Sequence, residues 1–149
     1  MANVRKAVRD RFCALLLAEV DDLAAALPYE PGDEALPQMP CVTMLSDLFN
    51  QVDRETGPVT DNTHGWELRL YVALAETDTQ SAYEAAQEQI EDLVPEIFTV
   101  VRKYPDIDGT CEWARIGDAG QPVEFLRDKS GRYAMKRMQL RVDVFETVP

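Results

Sequence analysis

Apolar residues recur at helical spacing along the first stretch of the chain. Val4, Val8, Phe12, Leu15, Leu16, Val20, Leu23 and Leu27 keep to one broad side at about 100° per residue, and Pro28 cannot continue them. The pattern predicts a helix over 3–27. Glu19 falls in the middle of that apolar sector, so its carboxylate must reach out at an edge, pair with a base, or face another chain. Pro28, Pro31, Gly32, Pro37 and Pro40 then mark an extended connector, since repeated prolines exclude both helix interior and central strand. From Cys41 to Leu48 β-branched and apolar residues suggest a strand. Trp66, Leu68, Leu70, Val72 and Leu74 alternate with Glu67, Arg69, Tyr71 and Ala73, the period-2 signature of a half-buried strand. Between these two strands the stretch from Asn50 to Gly65 carries Gly57, Pro58, Asp61 and Asn62 and reads as a long functional or disordered loop.

A second helix is predicted from Thr77 to Tyr104, with Asp78 or Thr79 as its cap. Tyr83, Ala86, Ile90, Leu93, Val94, Ile97, Val101 and Tyr104 form its apolar side, while Glu84, Glu88, Glu91 and Asp92 follow helical spacing elsewhere. Pro95 should kink it or break it in two. Short strands follow at Thr110 to Ile116 and Pro122 to Arg127, with turns at Gly117, Gly120 and Gly131. In the long closing strand Ala134, Met138, Leu140, Val142 and Val144 share one face and Arg137, Gln139, Arg141 and Asp143 the other. The expected fold is α+β: a single domain over 1–149 with a mostly antiparallel sheet and two main helices packed on one face.

Charge narrows the functional classes. The 149 residues carry a net charge of -12, the wrong sign for gripping nucleic-acid phosphates. The acidity is concentrated: residues 77–108 hold two basic and eight acidic groups, whereas 109–149 hold seven and six. That asymmetry is expected if like subunits meet acidic surface to basic surface; the plainer reading is a solvated acidic helix. No apolar run approaches the length of a membrane span. The apolar segment Phe12 to Ala18 behind Arg5, Lys6, Arg9 and Arg11 suits an amphipathic helix better than a removable leader, so an intracellular protein without membrane contact is expected. Cys13, Cys41 and Cys111 are odd in number, far apart and in no C-x-x-C, which predicts buried free thiols.

Catalytic and cofactor chemistry finds no motif. The only histidine, His64, lies in a turn-like Asp61-Asn62-Thr63-His64-Gly65 and is expected as an exposed loop residue; no G-x-S-x-G surrounds Ser46, Ser81 or Ser130. Asp106-x-Asp108 resembles the start of a calcium loop, but Gly117 stands where the twelfth-position glutamate belongs. Asp21-Asp22 and Glu91-Asp92 are adjacent pairs that point apart on a helix, and Gly117-x-x-Gly120 lacks the Lys-Ser/Thr of a phosphate loop. Trp66 and Trp113 suit a core or an interface better than base stacking. No catalytic residue, metal or cofactor is expected. An enzyme would need His64 or a cysteine beside a perturbed carboxylate.

Three segments, the second helix with Pro95 inside it, and the element order resemble the tail terminator proteins of lambda-type long-tailed phages and related tail and neck completion proteins. The segments are Met39-Pro40-Cys41-Val42-Thr43-Met44 opening the first strand, Gly65-Trp66-Glu67-Leu68-Arg69-Leu70-Tyr71-Val72 after the acidic stretch, and the closing Met138-Gln139-Leu140-Arg141-Val142-Asp143-Val144-Phe145. The proline-rich connector at 28–40 and the hairpin at 117–132 are departures from that pattern. The resemblance implies a structural virion or phage-like particle protein, assembled in the host cytoplasm and resident in the tail. Such a protein forms a homohexameric ring on the tail tube protein, stops polymerisation and meets the head–tail connector or stopper, with DNA passing through unbound. On this reading Glu67, Arg69, Arg137, Arg141 and Asp143 are subunit-interface residues; Asp53, Arg54, Glu55, Asp61 and His64 form a partner loop; and Glu84, Glu88 and Glu91 line the channel. The alternative is a monomeric acidic adaptor or inhibitor.

Overall fold

The computed structural model describes residues 3–32, 35–56, 59–75 and 79–147, without the side chains of 47–56, 59–61 and 146–147. Helix α1 spans Val4–Glu19, and the Asn3 side chain accepts the Lys6 amide at its N-terminus. Strand β1 (Ala25–Leu27), strand β2 (Cys41–Thr56) and strand β3 (Val59–Ala73) precede helix α2 (Gln80–Lys103). Strands β4 (Trp113–Asp118), β5 (Glu124–Asp128) and β6 (Gly131–Thr147) follow. The sheet runs β1-β2-β3-β6-β4, with β5 also on β6. Among the described residues only the β1–β2 pairing is parallel. This is the α+β class expected.

Period-2 alternation divides the sheet. Trp66, Leu68, Leu70 and Val72 of β3 and Met138, Leu140 and Val142 of β6 are fully buried and form one core with Val8, Phe12 and Leu16 of α1 and Ile90, Leu93 and Ile97 of α2. The helices' apolar stripes therefore close over one face of the sheet, called here the inner face. At one end of the outer face Cys41, Tyr71, Tyr133 and Met135 form a second small core, roofed by Leu36 and Met39 of the connector.

Three expectations are corrected. Helix α1 ends at Glu19, and Ala25–Leu27 pairs in parallel with Cys41–Thr43. Val20, Leu23 and Leu27 do keep helical spacing, but Val20 turns to an extended conformation at the C-cap and the sheet edge supplies the hydrogen bonds instead. Of the kink or break expected at Pro95, the break does not occur, since α2 runs from Gln80 to Lys103; Pro95 and Glu91 both sit on the solvent side, where water can satisfy the carbonyl that the proline leaves unbonded. The largest correction is the supposed loop from Asn50 to Gly65. It is a hairpin: Gln51 pairs with Thr63, Val52 with Asn62, Arg54 with Asp61 and Thr56 with Val59, while β6 pairs with Val59–His64 on the other side. Residues 57 and 58 lie outside the described residues. Because β4 stops pairing at Asp143, the sheet beyond that row narrows to a three-stranded arm. Ladder hydrogen bonding predicts that alternate amides of Gln51–Thr56 are protected in hydrogen exchange; uniformly fast exchange across them would contradict the arm.

Candidate assembly surface

The outer face carries the polar residues of the alternation, laid out in rows by the β3–β6 register. Arg69 stands directly opposite Arg137, Glu67 opposite Gln139, Gly65 opposite Arg141 and Thr63 opposite Asp143. Facing guanidiniums would repel each other. Glu67 resolves the conflict by accepting from Arg69 Nε at 2.7 Å while lying 4.0 Å from Arg137 Nε. Arg137 also reaches Glu124 at 3.3 Å and the Gln121 side chain. These side chains are only about one-quarter exposed: 23% for Arg69, 24% for Arg137 and 22% for Glu67. Such burial fixes their rotamers, so a partner would order little on contact.

A second cluster lies nearer the arm. Arg115 grips Asp143 through two nitrogens, at 2.7 and 3.3 Å, and Thr63 donates to the same carboxylate at 2.8 Å. Burial works against the charge of Asp143, but the bonds from Arg115 and Thr63 outweigh it and hold the carboxyl below its ordinary range. Arg141 lies beside this group, paired in register with Arg115. All five expected interface residues thus share the outer face, in two clusters.

The remaining site expectations divide. Glu84, Glu88 and Glu91 are exposed on α2, as their spacing implied. Asp53, Arg54 and Glu55 belong to β2 and Asp61 to β3, so they are not a loop, and their side chains lie outside the description. His64 is corrected outright: it is 4% exposed because its even position in β3 points to the inner face. There Arg5 of α1 donates to His64 Nδ1 at 3.2 Å, to Ser46 Oγ at 2.7 Å and to the Gly65 carbonyl at 3.0 Å. The same guanidinium stacks 4.4 Å from the centroid of the buried Trp66 ring. Glu19 meets two of its expected outcomes at once: it is exposed at the end of α1, and its carboxylate accepts from Lys103 at 2.9 Å and from Tyr104 at 2.7 Å. All three cysteines are free and buried, each thiol pushed up to about 12 chiefly by burial. Among the described residues no helix is long and apolar enough to cross a membrane, and no group of three acidic, cysteine or histidine side chains could hold a metal.

No sequence pattern marks Glu30. It sits between two prolines in a segment with no periodicity, yet it fastens the connector to the outer face. Oε2 accepts from Thr43 at 2.5 Å, Oε1 accepts from Tyr71 at 2.8 Å, and Arg69 lies 3.7 Å away. Glu30→Ala should cost about 1–3 kcal/mol and open the connector to proteases; an unchanged cleavage rate would show that the connector is held otherwise. Burial, followed by the bond to Glu30, pushes Tyr71 up to about 12. Its neutral form is thus favoured by folding, and that contribution is complete below about pH 10 and lost as pH rises toward 12. Denaturation between pH 9 and about 12 should show stability falling more steeply than in Tyr71→Phe; equal slopes would contradict the coupling.

Compared with known proteins, the chain matches no family model and no curated relative.

Proposed function

We propose that this chain is a structural subunit of a phage tail or phage-like particle that closes into a ring on the end of the tail tube, ends its polymerisation and joins the tail to the head connector. The observation that carries this reading is that one subunit presents two unlike, rigid surfaces. The outer sheet face holds half-buried arginines in place through Glu67 and Asp143, and on the solvent side of α2 from Glu84 to Asp92 every charged side chain is a carboxylate. A ring needs this asymmetry, because each subunit offers one face to the neighbour before it and a different face to the neighbour after it. The end of the tail tube comes from the resemblance of the three strand segments and the element order. The net charge of -12 suits a channel, since carboxylates repel phosphates and DNA slides without sticking.

Quantifying the protein in purified tail-like particles tests the proposal. The expected result is one ring's worth of copies, about six, located by labelling at the end of the tube that meets the head. A single copy per particle, or a distribution along the tube, would refute it, and a soluble monomer absent from all particles would favour the acidic adaptor.

A further inference from the structure

A groove of about 340 Å³ runs between the last turns of α2 and the free edge of β4. Its floor is apolar, from Phe98 and Val101 of α2 and Ala114 and Ile116 of β4, and Pro105 closes one end. Its rim carries Arg102 from the helix and Trp113 and Arg115 from the strand. Trp113 is 53% exposed although it lies beside a buried core. Arg115 is half-exposed and already oriented by the two-point grip of Asp143.

We infer that this groove seats the acidic side of α2, Glu84 to Asp92, from the next copy of the chain. The inference rests on the ring reading and names its contact. Charge complementarity selects the occupant: two guanidiniums frame the groove, while the same helix displays Glu84, Glu88, Glu91 and Asp92 at three- and four-residue spacing on its solvent side. The groove takes only Phe98, Val101 and Arg102 from α2, all C-terminal to the acidic residues Glu84 to Asp92 on this helix of 24 residues, so no residue belongs to both surfaces. A copy that inserts its acidic half leaves its own groove open for a third, which is the head-to-tail geometry that closes rings. Trp and Arg are the side chains that gain most when an apolar pocket is sealed from water, and Asp143 has already ordered Arg115 before contact. Glu84, Glu88 and Glu91 are then taken up between subunits and do not line the channel.

Charge exchange tests the contact. Arg102→Glu and Trp113→Ala alter exposed positions and should melt like the parent, yet each should raise the concentration needed for rings by about thirtyfold or more. Combining Arg102→Glu with Glu88→Lys and Glu91→Lys in one chain should recover most of the loss. The inference is overturned if both single variants form rings as the parent does, or if the combined chain recovers nothing; in either case parent rings would leave the ring reading standing. Failure of the parent to form rings, alone or on tail ends, would instead overturn the ring reading and this contact with it.

Discussion

Leu140→Ala should lower the stability of the fold by about 2–5 kcal/mol, whereas Arg141→Ala, the next residue of the same strand, should stay within about 1 kcal/mol of the parent. Leu140 is fully buried on the inner face, opposite the equally buried Trp66. Truncating it removes transfer free energy and leaves a cavity that a sheet clamped by two helices cannot collapse. Arg141 points the other way and is partly exposed, so its loss subtracts little from folding. In assembly the order reverses. Removing one partner of a charge pair that becomes desolvated at an interface costs about 2–5 kcal/mol of association, so Arg141→Ala should give a folded subunit that fails to form rings. Thermal melting and sedimentation of the two variants separate these effects. Equal melting temperatures would show that the two faces are wrongly assigned, and full assembly by Arg141→Ala would remove that residue from the interface.

Arg5→Ala should cost about 2–4 kcal/mol, far more than a residue in the first turn of a helix usually does. Its guanidinium is the only described link that joins α1 to β2 and β3 through Ser46, His64 and Gly65 at once. Truncation removes these three hydrogen bonds and uncovers one face of the Trp66 ring. Arg5→Lys should recover only part of the loss, since one ammonium cannot reach three acceptors with the planar fork that Arg5 uses. Lys6→Ala, on the exposed neighbour, is the control and should change stability by less than about 0.5 kcal/mol. Chemical denaturation decides: if Arg5→Ala and Lys6→Ala unfold together, the bonds at the base of the arm contribute nothing net.

Where half-burial imposes a period, the sequence was a good guide. The even residues from Trp66 to Val72 in β3 and from Met138 to Val144 in β6 went to the core and the odd ones between them to the outer face, because slipping by one residue would expose every apolar side chain at once. The class of fold and the shared face of the five interface candidates follow from that alternation. The arm was illegible for the same reason. Asn50 to Gly65 has no apolar alternation, and the backbone pairing from β6 that makes it a strand comes from a segment about eighty residues away. His64 was misplaced with it, since a histidine in an apparent loop gives no hint that an arginine from the first helix will reach it. Glu30 left no local trace because its role is defined wholly by Thr43, Tyr71 and Arg69 across space. The groove beside β4 was half visible: Trp113 suggested a core or an interface and residues 77–108 showed their acidity, but only the edge position of β4 next to the end of α2 joins them.

Electron microscopy of the purified protein, alone and bound to the ends of tail tubes, tests the central claim most directly. Closed rings of about six copies around an open channel, sitting as a single layer on one end of the tube, are the predicted result. Isolated single subunits at every concentration, together with tube ends that carry no added layer, would contradict it.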